Sequence, residues 1–232
     1  MILPSLDSLY RGVRSILIRF PVPVVSILST AIFSIASLEI EDTPLADTLF
    51  RWSFICGLAF VATLLADLAC LARQSAKPVR IFVSLLVLAA VLGTAQALFP
   101  LVLEGALPSF WYGYWITIFA LHLGIALTPL AGSRESKILW GFNLRLFLRF
   151  FFSTINAALL FVGLALALGS VEQLFGLSID EGRYFQIWLF ATFAVHPLLL
   201  LGGIPSLDDL KLAHGYPQPL RFTLQFIALP LV

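Results

Sequence analysis

Charge is what this sequence has least of. Asp, Glu, Lys and Arg together make up 12% of its 232 residues, about half the share found in soluble domains. Fourteen basic side chains stand against 13 acidic ones, a net charge of +1, so the chain lacks the charged face that a nucleic-acid partner requires. Cysteine is equally scarce. Cys56 and Cys70 share one apolar segment; a helical rise would put them roughly 21 Å apart, far outside disulfide reach. Their spacing fits no zinc template, and both are expected as small apolar residues inside a helix. Also missing are H-E-x-x-H, a phosphate-cradling glycine loop and a serine elbow, so no soluble-enzyme chemistry, cofactor or metal set is indicated.

What the chain has instead is apolar bulk. Hydrophobic residues reach 60%, against about 45–50% in an ordinary domain. A globule of this size has no interior large enough to hide so much apolar surface, so the solvent itself must be apolar. Spanning hydrocarbon takes roughly 20 mostly apolar residues, and a helix is the form that satisfies its backbone internally. Six stretches qualify, near 20–40, 49–71, 79–99, 109–130, 149–169 and 184–204. A partial seventh, L-R-F-T-L-Q-F-I-A-L-P-L-V over 220–232, is too short to span and is expected to be the start of a longer segment.

The expected architecture is therefore all-α: a polytopic integral membrane bundle of six complete spans and a truncated seventh. Residues 1–19 form an N-terminal segment and 20–232 the membrane domain. Arg11, Arg14 and Arg19 precede the first span, but its apolar run exceeds the usual core of a signal peptide and no small-residue cleavage site closes it. It reads as a retained helix. Of the 14 Lys and Arg, all but Arg51 and Arg183 fall in the N-terminal segment or in the loops after the second, fourth and sixth spans. The positive-inside bias then puts the N-terminus in the cytoplasm.

Several pieces resemble a known family. G-F-N-L-R-L-F-L-R-F (141–150), L-L-F-V-G-L-A-L-A-L (159–168), E-Q-L-F-G-L (172–177), L-L-G-G-I-P-S-L-D-D (200–209) and Y-P-Q-P-L-R-F-T-L-Q-F-I-A-L-P-L-V (216–232) are similar to bacterial inner-membrane proteins catalogued as domain of unknown function forty-one fifty-three. The likeness lies mainly in residues 140–232, the earlier spans agreeing in pattern only. It implies a polytopic fold, a bacterial inner-membrane location and further spans beyond Val232, but no activity and no site residue.

Ionisable and amide groups inside spans are costly and mark candidate sites. Asp67 lies near the inner end of the second span; His122 and His196 lie close to the midpoints of the fourth and sixth; Asn156 lies in the fifth. All four fall in the cytoplasmic half. One reading is a polar relay or ion site, with histidines able to titrate near neutrality. The other is that each hydrogen-bonds a neighbouring helix and fixes packing. His196-Pro197, followed by Gly202, Gly203 and Pro205, predicts a kinked helix with freed carbonyls or simply a helix stop.

The run W-G-F-N-L-R-L-F-L-R-F-F-F (140–152) is the amphipathic candidate. Asn143, Arg145 and Arg149 are placed to hold anionic headgroups if the segment lies along the inner surface before turning into the fifth span; plain positive-inside anchoring is the alternative. S-F-W-Y-G-Y-W (109–115) reads as an interfacial aromatic belt. Two functions follow: a transporter or permease with a polar site in the cytoplasmic half, or a non-catalytic structural or signalling protein that binds lipids or other membrane proteins. The expected partners are the bilayer, anionic headgroups at the cytoplasmic face, and membrane proteins or a second copy of the chain.

Overall fold

A computed structural model describes residues 6–103 and 110–205. They form α1 (Leu6–Arg19), α2 (Pro21–Glu39), α3 (Thr43–Ala72), α4 (Lys77–Leu103), α5 (Phe110–Leu127), a 3-10 turn (Thr128–Ala131), α6 (Ser136–Phe175), α7 (Glu181–Phe190), a π-helical turn (Ala191–Val195) and α8 (His196–Gly202). No strand occurs among the described residues. Six elements are long and apolar enough to cross a membrane: Pro21–Glu39, Thr43–Ala72, Lys77–Gln96, Trp111–Ala131, Ser136–Phe175 and Glu181–Gly202. They coincide with the six stretches expected from hydropathy. The partial seventh at 220–232 lies outside the described residues.

Prolines and short polar links punctuate the bundle. Pro21 and Pro23 sit in the first turn of α2, where a missing N–H costs nothing, and Phe20 (φ −132°, ψ 59°) breaks the helix between α1 and α2. Three residues join α2 to α3, and Pro44 again occupies a first turn. Arg73–Ala76 turns the chain into α4, with Gln74 held at φ 55°, a left-handed conformation that costs a side-chain-bearing residue about 1–2 kcal/mol. Gly176 (φ 63°) closes α6 while the Leu177 N–H reaches back to the Glu172 carbonyl.

The most extensive helix–helix contact is that of α2 with α3. Ser26, Thr30 and Ser34 recur every fourth residue of α2 and are buried, and α3 answers with buried Ser53, Ala59, Ala62 and Thr63. Small side chains let membrane helices approach, and the hydroxyls avoid an apolar penalty by turning on their own helices: Ser26 donates to the Val22 carbonyl and Thr30 to that of Ser26. Gly124 on α5 extends the pattern, since a Cβ there would lie 2.9 Å from Leu65 of α3.

The two halves of the bundle differ. The apolar core is Phe20, Val24, Ile27, Phe60, Val61, Leu64, Leu68, Ile125, Ile138, Phe142, Leu201 and Ile204, most of which lie towards the end where α1 meets α2, the near end. The far end, where α2 turns into α3, is bridged from Glu39 to Arg183 and Gln186 at the start of α7. α6 departs from expectation. It runs unbroken for 40 residues, roughly 60 Å and about twice a hydrocarbon core. The 136–152 segment therefore does not turn to lie on the surface: one glycine, Gly141, does not break a helix that has no proline or paired glycine.

Candidate functional site

The far half encloses a cavity of about 420 Å³, within the range of small-molecule pockets. α2 contributes Ile27, Thr30, Ser34, Ser37 and Leu38; α3 contributes Phe50, Ser53, Phe54, Gly57, Phe60 and Val61. Tyr114, Trp115 and Ile118 come from α5, and Phe185, Trp188, Leu189, Thr192, Phe193, His196 and Pro197 from the last membrane element. Gly57 leaves the space open on α3.

The polar groups of this wall are mostly committed elsewhere. Ser37 donates to the Ser34 carbonyl, Ser53 to that of Phe50, and the Tyr114 hydroxyl reaches the Phe54 carbonyl at 3.1 Å. The hydroxyls of Ser34 and Thr192 make no hydrogen bond among the described residues. Among the lining aromatics, Phe54 packs edge-on against Phe50 and Tyr114, and also against Trp111, and Phe185 stacks on Trp188. An interior of aliphatic and aromatic carbon with two free hydroxyls is suited to an apolar or weakly amphiphilic guest.

The π-turn shapes one wall. Pro197 has no N–H, and just before it the His196 N–H bonds to the Ala191 carbonyl, five residues back rather than four. The wider turn rotates Thr192, Phe193 and His196 towards the cavity; such bulges collect at functional sites. The expected kink is thus realised as a change of helical register, followed by a stop at Gly203.

The four candidate intramembrane residues do not meet. No hydrogen bond, ion pair or ring contact joins any two of Asp67, His122, Asn156 and His196 among the described residues. His122 is exposed and its Nδ1–H donates to the Ile118 carbonyl of its own helix at 2.8 Å. Asn156 is exposed and donates to the Phe152 carbonyl. Their positions along α5 and α6 put them on outward faces, a matter of helix rotation rather than depth. His196 alone reaches the cavity. Its ring stands edge-on to Phe150 at 5.1 Å and its Nε2 lies 3.2 Å from the Thr154 hydroxyl. That hydroxyl gives its own proton to the Phe150 carbonyl, which leaves Nε2 of His196 as the donor.

Asp67 belongs to a separate network in the packed half. Its carboxylate lies 3.3 Å from Arg80 Nε, with the two side chains 2% and 11% exposed. Arg80 also donates to the Arg19 carbonyl at 2.6 Å, and Arg19 donates to the Ile204 carbonyl at 2.8 Å. Ser84, one turn further along α4, turns its buried hydroxyl towards Asp67 without completing a hydrogen bond. The network ties α3, α4 and the α1–α2 elbow to the end of α8. Sequence reading missed Arg80, which it counted only as a loop charge.

The expected headgroup residues are also placed differently. Asn143 donates to the carbonyls of Ala126 and Leu139, both at 3.0 Å, and so staples α6 to α5. Phe142 and Ser153, on the same face of α6, are buried, while Arg149 between them is exposed. Arg149 lies over Gly203, where any Cβ would overlap its guanidinium; a cation at the end of α8 complements the helix dipole. Arg145 is half-buried and makes no hydrogen bond or ion pair among the described residues. In the aromatic belt, Tyr112 is the most exposed, Trp111 and Trp115 are exposed in part, and Tyr114 faces in.

Cys56 and Cys70 are both free thiols, and no three potential metal ligands come together among the described residues. Comparison with protein-family models, with curated proteins and with solved structures finds no match to this chain.

Proposed function

We propose that this chain is a multi-pass protein of the bacterial inner membrane, of the family whose motifs it resembles, and that it is a non-catalytic binder of a lipid-like molecule. The cavity of about 420 Å³ carries the reading, because its aromatic rim and committed hydroxyls suit hydrocarbon and give a hydrated solute little to bond to. The basic residues of the near end support a cytoplasmic N-terminus, which sets the cavity in the outer half of the bilayer. The guest is an apolar chain or ring system with at most a small polar head for Ser34 and Thr192.

The test is to purify the protein in mild detergent, identify co-extracted lipids by mass spectrometry, and titrate a fluorescent hydrocarbon probe. Gly57→Leu fills the cavity from α3, and its Cβ meets only ordinary contacts with Tyr114 and Thr30. It is expected to lose both the lipid and the probe while keeping wild-type helicity. Equal lipid retention by the two proteins sinks the proposal.

Transport is the second reading, favoured by His196 at a π-turn on the cavity wall. A proton-coupled flux that disappears in His196→Ala and survives in His122→Ala would replace passive binding with transport through this cavity.

A further inference from the structure

α1 carries an exposed apolar stripe with exposed basic residues beside it, and Ile18, 50% exposed, lies among the latter. Tyr10, Val13 and Leu17 recur at helical spacing and are 66%, 47% and 42% exposed, while Ser15 and the exposed Arg11 and Arg14 lie on the opposite or flanking faces. A soluble helix would turn such a stripe inwards. Here the bundle takes only the edge, where Ile16 packs against Gly202.

Two tethers hold the elbow, the Arg80 donation to the Arg19 carbonyl and the Arg19 donation to Ile204. Because α2 begins its span at Pro21, the bilayer boundary adjoins the last turn of α1. Arg73, Lys77, Arg134 and Lys137, all exposed, belong to the turns and helix starts of the same end.

We propose that α1 is an interfacial helix that docks on anionic phospholipid headgroups, with Tyr10, Val13 and Leu17 buried at the acyl boundary and Arg11 and Arg14 facing the phosphates. The occupant is a lipid surface because the span begins about one helical turn beyond the stripe's end and the exposed charge at this end is mostly basic, Glu135 apart. The headgroup contact is thereby placed on the N-terminal helix rather than on 136–152, where Asn143 is taken up by the α5–α6 staple and Arg149 lies over Gly203. It rests on the membrane placement alone and is independent of the cavity reading.

The experiment labels Val13→Cys or Ser15→Cys with an environment-sensitive fluorophore in a Cys56→Ala/Cys70→Ala background. The full chain is reconstituted in vesicles of phosphatidylcholine, with or without phosphatidylglycerol, carrying nitroxide lipids quenched near the headgroup. Position 13 is expected to be blue-shifted and quenched, more strongly with phosphatidylglycerol, and position 15 to stay water-like. Arg11→Gln with Arg14→Gln should remove the phosphatidylglycerol increment, a fall of roughly thirty-fold in the docked-to-free ratio of α1, and leave quenching in phosphatidylcholine unchanged. Water-like emission at position 13 overturns the proposal. So does blue-shifted emission without quenching, which would mean that a protein segment or a second copy covers the stripe, and so does equal quenching in the two vesicle types.

Discussion

Removing Arg80 should damage this protein more than removing both members of its ion pair. The Asp67 and Arg80 side chains are 2% and 11% exposed and 3.3 Å apart, a separation worth about 5 kcal/mol at an effective dielectric of about 20. Desolvating two ions consumes a similar amount, so the pair contributes little net against an apolar replacement, whereas one buried unpaired charge costs about 3–5 kcal/mol. Arg80→Met leaves Asp67 in that position and also removes the hydrogen bond to the Arg19 carbonyl, about 1 kcal/mol more. Asp67→Leu is milder, because Arg80 keeps the Arg19 carbonyl and can carry its guanidinium towards water along a flexible stem. The double variant should recover to within about 2 kcal/mol of wild type. Detergent-driven unfolding followed by far-ultraviolet circular dichroism yields the four free energies of the cycle. A loss below about 1 kcal/mol for Arg80→Met, or strictly additive single effects, refutes a desolvated ion pair.

Three further changes test the local geometry. Gln74→Gly should raise the unfolding midpoint, by up to about 1 kcal/mol, because only glycine occupies φ 55° without strain; no gain, measured the same way, refutes strain at the turn. Asn143→Leu removes the staple to the Ala126 carbonyl and should cost about 0.6–1.7 kcal/mol, with circular dichroism in detergent as the check. His122→Leu and Asn156→Leu, both on outward faces, should change stability by less than about 0.5 kcal/mol; a larger loss in thermal unfolding would show that those faces are packed.

The six apolar helices were legible because hydropathy over 20 residues is a sum, insensitive to which neighbour each side chain meets. Rotation was not. Of Asp67, His122, Asn156 and His196, only His196 reaches the cavity and only Asp67 is buried beside a charge. A helix turns by about 100° per residue, so direction depends on how each helix packs, and helices that are apolar all round carry almost no amphipathic signal to say so. Ser26, Thr30 and Ser34 at four-residue spacing did hold a signal for the α2–α3 contact. The sequence reading did not use it.

Composition and hydropathy by themselves determined that this chain is helical and has six segments able to cross a membrane, because an apolar solvent leaves the backbone no other hydrogen-bonding solution. Tertiary structure decided what those helices enclose. It put the densest packing at the end where α1 meets α2, left the cavity at the other, and turned Arg149 onto Gly203 because a residue without a side chain leaves room for a guanidinium. It also kept Ser136–Phe175 one unbroken helix and interrupted the chain at Phe20 instead. Both outcomes follow from contacts between residues far apart in the chain, which no local window contains.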